Sequence, residues 1–81
     1  MYNEYKNVMG YVLDEIEAMC RRLDWDEIDL WCDCYECGDI QEVVLGLVPS
    51  SYHDLALEEL RNAYHKCCYT LDMIDECWDC H

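Results

Sequence analysis

Positive charge is what this chain has least of. Its 81 residues include only five Lys and Arg against 19 Asp and Glu, which gives a formal net charge of −14. A surface this negative cannot neutralise phosphate groups, so direct binding to DNA or RNA is excluded. The same argument from sign excludes binding to an anionic membrane surface.

Proline, glycine and long apolar runs are also scarce. The chain has one Pro and three Gly, and no stretch approaches the ~20 apolar residues that a membrane span needs. The first apolar run, residues 8–13, is short and ends at Asp14, which is not the pattern of a signal peptide. We therefore expect a cytoplasmic protein, in the host cytoplasm if it is viral, with its cysteines in a reducing compartment.

Apolar residues, by contrast, are plentiful enough to build a core. The chain is 53% hydrophobic and contains three Trp and seven Tyr, whereas disordered acidic segments are poor in aromatics. We expect one domain, residues 1–81, too small to enclose a large active-site cavity. Its charge then lies on a fixed surface, where self-repulsion destabilises the fold and a basic partner would relieve it.

Apolar periodicity predicts an all-α fold, a small helical bundle with long first and last helices and two shorter helices between them. Apolar residues recur every three or four positions from about Asn3 to Leu23, and again from Tyr52 to the end of the chain. Pro49 ends the third helix, and Ser50 and Ser51 can cap the last one.

The second helix is bounded by capping signals. Asp24 with Glu27 three residues later is typical of a helix start, and Gly38 is typical of a helix end. Asp39 and Glu42 repeat the start signal for the third helix. An alternating pattern over residues 28–34 would also suit a strand, but the caps at both ends favour a helix.

The negative charge is concentrated in two places. Residues 14–42 carry eleven acids and two Arg, and no Lys or Arg lies between Asp24 and Glu59. On the second helix, one stripe of carboxylates follows i, i+3, i+7, i+10 spacing beside the apolar face: Asp26, Asp29, Asp33 and Glu36. Its members step by roughly 4.5 to 6 Å along the helix axis, in loose agreement with the ~3.4 Å rise of phosphates on a DNA strand. A second stripe, placed on the face of the last helix opposite its core, comprises Asp72, Asp75, Glu76 and Asp79.

These acids predict a partner-binding surface. The alternative is a polar face that only solvates the helices or adapts them to high salt. Helix surfaces normally mix both signs, because opposite charges four residues apart stabilise and like charges do the reverse, so the one-sided charge favours binding. The candidate residues are Asp24, Asp26, Glu27, Asp29, Trp31, Asp33, Glu36, Asp39, Glu42, Asp72, Asp75, Glu76 and Asp79.

Eight cysteines carry the strongest chemical motif. Cys34 and Cys37 form one Cys-x-x-Cys pair and Cys77 and Cys80 form another, and four such thiolates can hold a zinc ion tetrahedrally. Two alternatives stay open. The cysteines can be reduced thiols that pack as small apolar residues, or they can form disulfides.

We expect no enzymatic activity. Ser50, Ser51, His53 and Asp54 include the residue types of a nucleophilic triad, but they are crowded at a helix start, where capping is their usual role. No Gly-rich phosphate-binding loop is present.

In size, charge and helicity the chain resembles the small acidic inhibitors that phages and mobile elements encode against CRISPR complexes, restriction enzymes or polymerases. The resemblance implies a basic nucleic-acid-binding protein as partner, and inhibition by carboxylates that occupy the positions of phosphates. It includes no shared motif, so it assigns no functional residue. The alternative is a small adaptor, stabilised by zinc at the two Cys-x-x-Cys pairs, that binds a basic protein segment.

Overall fold

The fold is all-α, as the periodicity predicts. The computed structural model describes the backbone of residues 2–79 and the side chains of residues 2–74. Within that part of the chain there are four α-helices, one short 3-10 helix and no strand. The helices are α1 (Tyr2–Arg22), α2 (Trp25–Cys37), α3 (Asp39–Leu47) and α4 (His53–Asp79), with the 3-10 helix at Ser50–Tyr52. The first and last are the long ones, at 21 and 27 residues.

Both predicted ends of α2 are confirmed, and with them the helix rather than the strand. The Asp24 side chain accepts a hydrogen bond from the backbone N–H of Glu27 at 3.5 Å. Leu23, at φ 55°, turns the chain between α1 and α2. Gly38 ends α2 at φ 89°, in the left-handed region that a residue without Cβ enters most easily.

Two capping details differ from the prediction. Gly38 serves as the N-cap of α3, so Asp39 is its first helical residue. Pro49 is extended, at φ −61° and ψ 147°, and its carbonyl accepts from the N–H of Tyr52 at 2.9 Å. That bond closes a 3-10 turn through Ser50 and Ser51, and α4 begins only at His53.

Two clusters of buried side chains form the core. One lies among α1, α2 and α4 and contains Ile16, Met19, Cys20, Ile28, Cys32, Ala63, Cys67 and Ile74. The other lies among α1, α3 and α4 and contains Tyr5, Met9, Val44, Val48, Ala56 and Leu60. Val12, Leu13 and Trp31 pack against both clusters and join them.

The helices make an elongated body of 49 × 22 × 16 Å, and α4 packs against each of the other three. At 1.5 Å per residue, α4 is about 40 Å long and runs along most of that body. None of the helices described is long and apolar enough to cross a membrane.

Candidate protein-binding site

The acidic stripe, defined as Asp26, Asp29, Asp33 and Glu36, lies along one flank of α2. A helix turns by about 100° per residue, which places the stripe roughly 80 to 160° from buried Ile28. Asp26, Asp33 and Glu36 are exposed and Asp29 is half-buried. The surface predicted from spacing is therefore present as a row of carboxylates on a rigid helix.

Glu36, at the C-terminal end of the stripe, is hydrogen-bonded to α4. The Tyr64 hydroxyl donates a hydrogen bond to the Glu36 carboxylate at 2.7 Å. That bond to a negative group raises the pKa of Tyr64 above its ordinary range, because the neutral phenol is the form that donates. Tyr64 also stacks on Tyr35, with ring centroids 4.5 Å apart, so this end of α2 is held at two points.

Asp72 extends the acidic stripe across the seam between α2 and α4. The two helices run antiparallel, since Glu36 meets Tyr64 and Cys32 meets Cys68. The same register sets Asp72 level with Ile28, one residue before Asp29, and Asp72 is exposed. It is about 80° around α4 from Tyr64, the residue that contacts Glu36 of α2. The other members of the second predicted stripe, Asp75, Glu76 and Asp79, lie outside the described side chains.

Arg21 and Arg22, at the end of α1, pair with acids outside the acidic stripe. Among the described side chains, two ion pairs form: Arg21 with Glu17 at 2.9 Å and Arg22 with Glu27 at 3.3 Å. Neither involves a member of the acidic stripe. Three of the predicted binding acids thus have polar contacts within the protein: Glu27 pairs with Arg22, Asp24 caps α2 and Glu36 accepts from Tyr64.

On the opposite flank of α2 lies an open apolar groove of about 530 Å³, bounded by α1, α2 and α3. Its apolar side chains are Val12, Met19, Leu30, Trp31, Ile40, Val43 and Val44, together with the thiol of Cys34. Glu15, Glu27 and Asp39 line it as well, one carboxylate from each of the three helices. We refer to these residues as the groove. Of the predicted binding residues, Trp31, Glu27 and Asp39 belong to it.

The apolar pattern of the sequence did not predict the groove, although one signal for it was present. Leu30 lies off the apolar face of α2, which is unusual for a Leu on an acidic helix, and it is 63% exposed. Val43 and Leu47 share the apolar face of α3 with buried Val44, yet they are 62% and 59% exposed. Whether Val43 and Leu47 are buried depends on which side of α3 the other helices cover. The spacing of apolar residues within α3 carries no information on the position of those helices. Glu42, exposed on α3, lies with them in a shallow depression beside the groove.

The predicted zinc ligands are only partly described. Cys34 lines the groove and Cys37 is exposed on α2, while the side chains of Cys77 and Cys80 lie outside the described residues. Tyr64 of α4 is level with Glu36, which adjoins Cys37. Cys77 follows Tyr64 by thirteen residues, so its backbone is about 20 Å further along α4. Among residues 2–74, no three His, Cys, Asp or Glu side chains are arranged to hold a metal ion. The zinc site stays a prediction, and metal analysis of protein purified without added zinc would test it.

A different group of cysteines meets inside the bundle. Cys67 of α4 lies beside Cys20 of α1 and Cys32 of α2 in the buried cluster of these helices, and Cys68 packs against it next to Cys32. These four residues are named the thiol cluster. Burial, reinforced by the neighbouring thiol of Cys68, raises the pKa of Cys32 to about 12, and burial raises that of Cys67 as well. The thiols of Cys32 and Cys67 therefore stay protonated at neutral pH and pack as small apolar groups.

Comparison of the chain with protein-family models, curated proteins and solved structures finds no significant match. The function must therefore be argued from the surfaces themselves.

Proposed function

We propose that this protein is a non-enzymatic, acidic binding protein that occupies a basic nucleic-acid-binding surface on another protein and blocks it. The observation that supports this most directly is the acidic stripe: four carboxylates in a row on one rigid helix, extended by Asp72, with no member in an ion pair among the described side chains. Such a row destabilises an isolated protein by self-repulsion. Pairing with Lys and Arg of a partner would remove that repulsion.

The stripe suits this role in spacing as well as in sign. Its carboxylates repeat every three or four residues, so they step by roughly 4.5 to 6 Å and present negative charge at intervals comparable with those of a phosphate backbone. A net charge of −14 also attracts a basic surface over a long range. That attraction speeds encounter and weakens as salt is added.

The test is competition, with matched variants. The isosteric variant Asp26→Asn/Asp29→Asn/Asp33→Asn removes three charges from the stripe without changing side-chain size. The control Glu4→Gln/Asp54→Asn/Glu58→Gln removes three charges from exposed positions elsewhere, so both variants have the same net charge. Wild-type protein is used to capture basic partners, and each captured protein is then assayed for release of its own DNA or RNA.

We expect wild-type and control proteins to displace the nucleic acid at low salt, and the stripe variant to lose at least tenfold in potency. If a captured partner keeps its DNA or RNA in the presence of excess wild-type protein at low salt, the proposal fails for that partner. Equal potency of the stripe variant and the control would show that net charge, and not the stripe, is what acts.

A further inference from the structure

The apolar groove is a second surface that the acidic stripe does not explain. Its residues Leu30 and Val43 are each more than 60% exposed, although burial of such apolar side chains normally stabilises a fold. Contiguous exposed apolar surface rimmed by polar groups is typical of a protein-binding site. The groove and the stripe lie on opposite flanks of α2, so both could be occupied together.

We propose that the groove binds the apolar face of a basic amphipathic helix. This rests on the proposed function in one respect, that the partner is a basic protein, and it names the partner segment that would enter this face. An amphipathic helix presents an apolar band of side chains at i, i+3, i+4 and i+7, with polar residues on either side. Grooves between helices bind such a face by burying its apolar positions.

Charge complementarity selects a basic helix. The carboxylates at the groove come from three different helices, Glu15 on α1, Glu27 on α2 and Asp39 on α3, so a bound helix meets negative charge from each helix that bounds the groove. Lys or Arg beside the apolar band of that helix would pair with them. The side chains of Arg22 and Glu27, which form an ion pair, are 60% and 54% exposed. A cation of the partner can therefore replace Arg22 beside Glu27.

The same charge argues against other occupants. A second copy of this chain would bring another net charge of −14 to the face, and nucleic acid would bring phosphates to a carboxylate rim. An acidic helix would place like charges opposite Glu15 and Asp39. The basic amphipathic helix is the occupant that satisfies both the apolar floor and the negative rim.

The probe is a fluorescein-labelled Leu/Lys peptide of about five helical turns, roughly 18 residues, titrated with the full chain at about 0.15 M salt, where charges more than ~8 Å apart are largely screened. A Leu/Glu peptide with the same apolar face is the charge control. We expect saturable binding of the Leu/Lys peptide and at least tenfold weaker binding of the Leu/Glu peptide. Equal binding of the two peptides would overturn the proposal.

Variants locate the binding site. Leu30→Gln removes an apolar contact at the groove, and Leu55→Gln makes the same change at an exposed position on α4 that does not line it. We expect Leu30→Gln to weaken binding of the Leu/Lys peptide by roughly tenfold and Leu55→Gln to leave it unchanged. Because both side chains are exposed, neither change removes a core contact, and circular dichroism verifies that both variants are folded. Binding to Leu30→Gln as tight as to wild type would overturn the groove as the site.

A second matched pair of variants distinguishes the carboxylates of the groove from the general attraction of the net charge for a basic peptide. Glu15→Gln/Asp39→Asn and Asp29→Asn/Asp33→Asn each remove two charges, the first pair from the groove and the second from the acidic stripe. We expect the rim variant to lose roughly threefold to tenfold in peptide affinity, and the stripe variant to lose less than twofold (about the resolution of a titration). Equal losses would overturn the proposal, because the peptide would then be responding to net charge.

The two proposals can fail separately. Loss of peptide binding in Leu30→Gln, combined with captured partners that keep their DNA or RNA in excess wild-type protein at low salt, would leave the groove inference standing and reject the proposed function. The opposite pattern would reject the groove and retain the proposed function.

Discussion

The ring of Tyr5 is buried in the core, while its hydroxyl makes a polar contact with a carboxylate. Tyr5 lies in the buried cluster of α1, α3 and α4, stacks on Tyr52 with ring centroids 4.9 Å apart, and donates a hydrogen bond to the Glu59 carboxylate. Burial first, and the bond to Glu59 second, raise the pKa of Tyr5 above its ordinary range. From periodicity alone, Tyr5 is only an apolar position.

We predict that Tyr5→Phe lowers the free energy of unfolding by about 1 to 2 kcal/mol, because Glu59 loses a donor while the ring is retained. Its stability should also depend less on alkaline pH. In wild type, the raised pKa stabilises the fold fully below the unfolded pKa of about 10, and this contribution is lost as pH rises toward the folded value. Urea unfolding at about pH 8 and pH 10.5 measures both effects. Tyr11→Phe, at a position 71% exposed, is the control and should behave as wild type.

The thiol cluster leads to a prediction about reactivity. Thiolates, and not thiols, react with alkylating reagents, and Cys20, Cys32 and Cys67 are buried, with the pKa of Cys32 raised to about 12. We expect iodoacetamide at neutral pH to modify exposed Cys37 well before these three residues, and to modify all of them equally in denaturant. Peptide mass spectrometry over a time course gives the order. Early modification of Cys32 in folded protein would contradict the packing described for α2 and α4.

At the scale of helices, the two ends of α2 were well predicted from the sequence, although the alternating pattern of residues 28–34 also suited a strand. Asp24 caps the start of α2 and Gly38 ends it. Both roles were predicted, because each depends only on a few neighbouring residues. The start of α4 was less readable, because Ser50 and Ser51 suit either a cap or a 3-10 turn. The extended Pro49 decided between them through its bond to the N–H of Tyr52.

Two glycines should respond in opposite ways to the same substitution. Gly38 has φ 89°, where a Cβ is strained whatever the surrounding space, whereas Gly10 lies inside α1 with nothing within 4 Å of the position that a Cβ would occupy. We expect Gly38→Ala to destabilise the fold by about 1 kcal/mol or more. Gly10→Ala should stabilise it by about 0.5 to 1 kcal/mol. Chemical denaturation of both variants compares the signs, and a destabilised Gly10→Ala would contradict an uninterrupted α1.

The two surfaces differ in how much of them could be predicted. The acidic stripe follows from spacing within one helix, so Asp26, Asp29, Asp33 and Glu36 could be assigned to one flank from their sequence positions alone. The groove is a relation among three helices. It depends on the neighbouring helices leaving Leu30 of α2 and Val43 of α3 uncovered. The periodicity of α2 and α3 holds no information on how far those neighbours extend.

For the whole molecule, the main electrostatic effect is repulsion within a body only 16 to 22 Å across its short axes and 49 Å long. At low salt the Debye length is comparable with these dimensions, so the charges that sum to −14 repel one another across most of the molecule. We predict that raising NaCl from about 0.02 to 0.5 M increases the melting temperature by several degrees, since screening relieves repulsion. Differential scanning calorimetry measures the shift. In the stripe variant Asp29→Asn/Asp33→Asn the shift should be smaller, and an unchanged shift would place the repulsion elsewhere.

The division of α2 into three separate sectors has a consequence for how this protein could change. Ile28 and Cys32 face the core, the acidic stripe occupies one flank, and Leu30 and Trp31 face the groove on the other. The stripe and Leu30 are outside the buried clusters, so their identities can be exchanged while the scaffold stays the same. A library varied only at Asp26, Asp29, Leu30 and Asp33 would sample new binding specificities on an unaltered bundle. In that sense α2 is a natural starting point for designing new binding surfaces on this bundle.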